Sequence, residues 1–133
     1  MEFPSNLHYT EDHEWIRIES SGEHHTAYIG ITDFAQSELG DIVYVEVETV
    51  GETVKAGKIF GTVEAVKTTS DLFMPVDAEV LEVNAKITSS GDDNPALVNT
   101  HPYSDGWIIK VRVHDLKQVH ALMTAEQYQE KVH

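Results

Sequence analysis

The chain has 133 residues, with 9 Lys and Arg against 23 Asp and Glu, a formal charge of −14 and no cysteine. That length is one domain's worth and long enough to bury a core. The acid excess argues against a nucleic-acid ligand, whose phosphates it repels; the lack of Cys excludes disulfides, thiol catalysis and Cys-based metal sites, and no apolar run approaches the roughly 18 residues of a membrane span.

The N-terminus, Met1-Glu2-Phe3-Pro4-Ser5-Asn6, is neither basic nor followed by an apolar segment, so the expected location is the cytoplasm, or the mitochondrial matrix for a processed eukaryotic form. Strand patterns then dominate. Ile16 and Ile18 alternate with polar neighbours, as do Ala27, Ile29 and Ile31. Asp33 to Leu39 reads as a short helix, with Asp33 three before Gln36 at its start and Gly40 at its end. Val43, Val45 and Val47 form the next alternating run, and Ile59, Gly61, Val63 and Ala65 another. Turn signals separate them at Ser20-Ser21-Gly22, Val50-Gly51-Glu52, Ala56-Gly57-Lys58 and Ser89 to Pro95. Trp107, Ile109, Val111 and Val113 make the last strand pattern. Two helices follow over about 115–131: Asp115 with Gln118 caps a segment that places Leu116, Val119, Leu122 and Met123 on one face, and Thr124 with Gln127 caps the final turns. Short strands at this spacing indicate a small barrel or sandwich in one domain, 1–133.

Independent catalysis finds little support. No Gly-x-Ser-x-Gly elbow and no Gly-rich loop before a helix occur. His13, Glu14 and Asp71 are acid/base candidates, although sequence does not bring them together. The eight histidines lack a tight metal-ligand spacing: His24 and His25 would face opposite sides of a strand, while His8 and His13 are five apart. They read as surface or rim histidines.

One lysine stands apart. Lys67 lies between two β-type runs in Glu64-Ala65-Val66-Lys67-Thr68-Thr69, a tight hairpin with one amine at its tip, expected over about 58–83. A hairpin fixes the backbone and lets the side chain project, which suits a covalently attached swinging arm. Biotin acceptors place Met on both sides of the lysine, and Val66 and Thr68 stand there, so lipoate is the better match.

The residues resemble those of the H-protein family of the glycine cleavage system. The likeness runs from Tyr9-Thr10-Glu11-Asp12-His13-Glu14-Trp15 through Ile29 to Gln36 and Leu39-Gly40-Asp41. It continues through Val63 to Lys67 and Ser70-Asp71, then Pro95 to Asn99 and Pro102 to Trp107. The departures are Ala78, where the family has Gly, and lengthened loops at Ser20 to His25 and Thr88 to Asn94. The resemblance implies a mainly β fold, a flattened barrel-sandwich hybrid of the lipoyl/biotinyl type with a short internal helix and C-terminal helices. It implies lipoate in amide linkage to Lys67 (N6-lipoyl-lysine), with Glu64 read by the lipoate-attaching enzyme. It implies a non-catalytic carrier serving three partners: a PLP-dependent glycine decarboxylase (P protein), a tetrahydrofolate-dependent aminomethyltransferase (T protein) and dihydrolipoyl dehydrogenase (L protein). Glu14, Asp71 and His13 are the candidates to cradle the loaded arm, whose cationic amine suits carboxylates. Two other readings stand beside it: an H-like lipoyl protein relaying lipoate to other lipoyl domains, and an unmodified binding domain of this fold, against which Lys67 with Glu64 argues.

Overall fold

Two antiparallel sheets carry the chain in the computed structural model, which describes residues 1–19 and 25–132. The larger orders six strands as β1 (His8–Tyr9), β2 (Glu14–Ile18), β3 (His25–Ile31), β9 (Ile109–Val113), β8 (Ala78–Val83) and β5 (Thr53–Val54). The smaller orders β4 (Ile42–Glu46), β6 (Ile59–Ala65) and β7 (Thr69–Phe73). Neither sheet closes into a barrel, and the mainly β class with few helices is the one expected. One apolar core joins Ile16, Ile29, Val80 and Val111 of the larger sheet to Val45, Phe60, Val63 and Leu72 of the smaller. The other face of the larger sheet is also covered, by a second cluster of Leu7, Tyr9, Trp15 and Tyr128. Strand β2 is therefore buried on both faces: Ile16 points into the main core and Trp15 into the second cluster.

Trp15 lies against its register partner Gly30. A Cβ added at Gly30 would stand 2.7 Å from the indole, below any real contact distance. The indole N–H donates to the carbonyls of Ile31 and Pro102, both at 3.0 Å, so the ring has little freedom to move aside. Gly30→Ala is expected to cost about 1–3 kcal/mol, the usual range for overpacking. A lowered urea midpoint at an unchanged m-value would show it; an unchanged midpoint would mean that the ring moves freely.

Bulges overturn two expected alternations. The register shifts between Ile42 and Tyr44, so Ile42 and Val45 face the core while Val43 is 47% exposed. A second shift between Ile59 and Gly61 leaves Ile59 49% exposed and buries Phe60 instead. An extra residue in one strand reverses every side chain before it. The hairpin expected over about 58–83 is narrower, because β6 and β7 pair over Ile59–Phe73 and β8 leaves for the other sheet.

The helices are α1 (Asp33–Leu39), α2 (Leu97–Thr100), α3 (Leu116–His120) and α4 (Ala125–Val132). The α1 cap is Thr32, one residue earlier than expected, with its hydroxyl accepting from the Ala35 N–H at 3.1 Å. Asp33 instead accepts from the Gln36 side chain and from the Glu2 N–H. At α3, Asp115 caps the Lys117 N–H, but Gln118 reaches across to pair with Asp77 instead of closing a box. Thr124 and Gln127 do exchange reciprocal bonds before α4. Leu116, Val119 and Leu122 join the main core, whereas Met123 belongs to the second cluster. Ala78 opens β8 and is not among the positive-φ residues, so alanine meets no left-handed strain there. The lengthened loop at Ser20 to His25 lies outside the described residues apart from His25, which begins β3.

Candidate functional site

The β6–β7 hairpin turns at Val66-Lys67-Thr68, all exposed, with Val66 75% exposed. The Ala65 N–H closes the turn on the Thr68 carbonyl at 2.7 Å. The Val66 N–H donates outward to the Asp41 carbonyl at 3.0 Å, tying the tip to the segment that leaves α1. Lys67 therefore has a rigid base and a free side chain. Its far end comes near Gly40: a Cβ placed there would stand 3.4 Å from Lys67 Cε and 3.8 Å from Nζ. Gly40 has φ 81° and ψ −159°, a conformation open in practice to glycine alone.

Glu64 is exposed on β6, opposite Tyr44 of β4 and Thr69 of β7. Thr62 and its register partner Asp71 belong to the same face, so Glu64 and Asp71 lie on one side of the hairpin.

A cavity of about 260 Å³ opens beside α1, lined in part by His13, Glu14, Phe34, Leu39 and Asp71. It brings together the three residues that the sequence could not place, and Leu39 on its wall immediately precedes Gly40. Glu14 is the unusual member, a carboxyl only 1% exposed. Its position on β2 has the parity of Ile16, so the strand turns it toward the core. Oε1 accepts from the Thr10 hydroxyl at 2.9 Å, and Oε2 accepts from the Phe73 N–H of β7 at 3.2 Å. Burial pushes its pKa up to about 8, although both hydrogen bonds oppose the shift. A larger cavity of about 370 Å³ lies elsewhere on Glu14, against Thr10, Met74 and Leu122. It contains no residue of α1 or of the hairpin strands β6 and β7, so the smaller cavity is the one associated with Lys67.

His13 has φ 67°, a left-handed backbone uncommon outside glycine. Its ring packs on Phe34 at 4.9 Å, and its Nδ1 lies 2.8 Å from the Tyr128 hydroxyl, which is 2.7 Å from Thr32 Oγ1. Thr32 Oγ1 already accepts from Ala35, so its hydrogen is available to Tyr128. With Thr32 donating to Tyr128 and Tyr128 to Nδ1, the imidazole hydrogen sits on Nε2; the reverse order, with Nδ1–H donating to Tyr128 and Tyr128 to Thr32, satisfies the same distances. Burial, with Lys131 nearby, lowers the His13 pKa and keeps the ring neutral at pH 7. Sequence reasoning missed Thr10 and Tyr128. Thr10 carried a local signal, a hydroxyl four residues before the carboxyl; Tyr128, 115 residues from His13, carried none.

The family pattern described as "Glycine cleavage H-protein" matches residues 7–133. The glycine cleavage system H protein of Bacteroides thetaiotaomicron is 52% identical over 128 residues, covering 96% of this chain and 95% of that one. That of Prosthecochloris aestuarii is 52% identical over 132 residues, covering 99% and 98%. The crystal structure of a glycine cleavage system H protein from Mycobacterium marinum superposes with a TM-score of 0.83 at 38% identity, covering 97% of this chain and 98% of that one. The chain belongs to the glycine cleavage H-protein family.

Proposed function

We propose that the chain is a lipoyl carrier, with lipoate in amide linkage to Lys67, passing the aminomethyl group of glycine from the decarboxylase (P protein) to the tetrahydrofolate-dependent aminomethyltransferase (T protein). The observation that carries this is an exposed amine on a rigid hairpin tip, beside a cavity with a buried carboxyl. The bound dithiolane supplies a sulfur that takes and yields the aminomethyl group, and a thiol pair for dihydrolipoyl dehydrogenase (L protein) to reoxidise. The protein's own residues present and shelter. The β6–β7 hairpin holds Lys67 in one place for successive enzymes, and the cavity beside α1 excludes bulk water from a docked arm. Glu14 and Asp71 offer carboxyl oxygens to a cationic amine, and His13 adds an imidazole to the same wall. No helix among the described residues is long and apolar enough to cross a membrane. The cytoplasm is the compartment we assign.

Two additions test this proposal in sequence. Lipoate with a lipoate-attaching enzyme is expected to raise the intact mass by one lipoyl group. Glycine with the decarboxylase is then expected to add one aminomethyl group and release CO₂. Lipoylation without aminomethyl loading would favour relay of lipoate to other domains, and no lipoylation would leave an unmodified binding domain.

Glu64 is expected to act through the attaching enzyme and not through the fold. It is exposed, and it pairs across the sheet only with the equally exposed Tyr44 and Thr69. Glu64→Ala is expected to slow lipoylation while stability changes by at most about 0.5 kcal/mol, as at ordinary surface sites. Normal lipoylation with a large loss of stability would make Glu64 structural.

A further inference from the structure

The hairpin tip does not hold its own position. Beyond the β ladder, its link to the body is the hydrogen bond from the Val66 N–H to the Asp41 carbonyl. Asp41 is an exposed residue between the end of α1 and the start of β4. Its neighbours are held on both sides: the Gly40 N–H bonds the Gln36 carbonyl, Ile42 pairs with Ala65 and lies in the main core, and one side chain binds both residues. Asn99 Nδ2 donates to the Gly40 carbonyl at 2.9 Å, and Asn99 Oδ1 accepts from the Ile42 N–H at 2.9 Å. The second Nδ2 hydrogen goes to Gln36 Oε1 on α1 at 3.0 Å. The amide of one side chain thus spans the α1–β4 connection and uses both its donors and its acceptor.

Asn99 itself is well held. It sits on the single turn of α2 next to Val98, which is fully buried in the main core, and its own N–H bonds the Ala96 carbonyl. The line of support runs from the core through Asn99 to Gly40 and Ile42, and from Asp41 between them to Val66 at the tip. Gly40 adds the second half of the device. With no side chain, it leaves room for the end of the Lys67 side chain, and its unusual dihedrals turn its carbonyl toward Asn99.

We infer that Asn99 is the positioning residue for the arm-bearing lysine: it locks the Gly40–Ile42 shelf, and the shelf sets where the Lys67 amine is offered. This rests on the proposal that Lys67 is the lipoate acceptor, but the mechanical part stands apart from it. Asn99 is remote in sequence from Lys67 and is not part of the cavity lining.

The molecule contains its own control. Asn84 is buried, donates from Nδ2 to the Asp105 and Trp107 carbonyls at 2.8 Å each, and accepts from the Lys86 N–H at 3.0 Å. It makes the same number of bonds, two donated and one accepted, at a site that supports other loops. The experiment compares Asn99→Ala, Asn99→Asp and Asn84→Ala, each as the full chain, by amide hydrogen exchange and by lipoylation kinetics with a lipoate-attaching enzyme. Asn99→Asp keeps the acceptor for Ile42 and loses both donors.

In Asn99→Ala the Val66 amide is expected to exchange at least about tenfold faster, as a locally opened unit. The kcat/KM for lipoylation is expected to fall by about tenfold, consistent with a misplaced acceptor. Asn99→Asp is expected to be intermediate in both. Asn84→Ala is expected to lower the thermal midpoint while leaving Val66 exchange, relative to global unfolding, and lipoylation at wild-type values. Should Asn99→Ala fail to fold, the wild type still decides: Val66 and Ile42 amides are expected to open together, with similar protection. Independent opening of Val66 in the wild type, or wild-type exchange and lipoylation in folded Asn99→Ala, would overturn the assignment. Absence of lipoylation in the wild type would instead sink the carrier proposal and leave the exchange result to judge the shelf.

Discussion

Lys67→Arg protein is expected to leave a lipoate-competent cell at its unmodified mass, correctly folded and unable to accept an aminomethyl group. The substitution keeps the positive charge at an exposed tip and asks nothing new of the core. Arginine cannot take the acyl group, because its guanidinium stays protonated and is a poor nucleophile. The effect is expected to be all or none, since Lys58 lies between two strands of different sheets and Lys117 and Lys131 lie on α3 and α4, not on a paired hairpin tip. Lys55 stands near Asp77, Lys86 pairs with Asp105 and Lys110 with Glu19, each near a carboxylate on the body of the fold. Intact mass with peptide mapping is the measurement. A lipoyl group on any other lysine would remove Lys67 from its role, and with it the meaning given to the hairpin.

Glu14→Gln is expected to flatten the pH dependence of stability between about pH 4.5 and about pH 8. An ordinary Glu has a pKa of 4.5, and burial raises that of Glu14 to about 8 in the folded protein. Below 4.5 the carboxyl is protonated in both states and its burial carries no ionic penalty. Between the two values the unfolded chain gives up the proton and the folded chain keeps it, so stability falls as pH rises. Above about 8 the loss is complete. The whole contribution is on the order of 3–5 kcal/mol. Glutamine preserves the shape, an acceptor for the Phe73 N–H and a donor for the Thr10 hydroxyl, without the titration. Urea midpoints of both proteins across this range are expected to converge at low pH and separate at high pH, with the variant the more stable on the alkaline side. Parallel curves would mean that Glu14 titrates as a normal carboxyl.

The same property shapes the proposed docking. Near pH 7 the empty cavity holds Glu14 largely protonated, and a cationic arm would draw its pKa down and expel that proton. Docking of the aminomethyl-loaded arm is then expected to release up to one proton per molecule in wild type and none from this site in Glu14→Gln.

The strands with a clean alternation were legible before any coordinates: β2, β3 and β9 fall where Ile16, Ile29 and Val111 place them. Bulges hid the true faces of β4 and β6, because an inserted residue leaves no mark in composition. The two-residue strands β1 and β5 are too short to show any period. At the site, Lys67 and Glu64 were visible because a hairpin tip is local. Glu14 was visible as a candidate but not as a buried carboxyl, since its environment is made by β7 and by the packing of two sheets. Asn99 stood in a recognisable run of residues, yet its use depends on meeting residues 36–42 across the fold.

The indole of Trp15 resting on Gly30 also sets an order on sequence change. Neither position can drift by itself: a side chain at 30 has no space while the indole is present, and a smaller ring at 15 uncovers the backbone of β3 and orphans the Ile31 and Pro102 carbonyls from their shared donor. Descendants that carry a residue much larger than alanine at 30 are expected to have passed first through a chain with a smaller one at 15, weakened for as long as the gap stayed open. In a library that varies both positions, the tolerated combinations will lie along a narrow diagonal, and single-site scans will score each residue as irreplaceable when what is constrained is their sum.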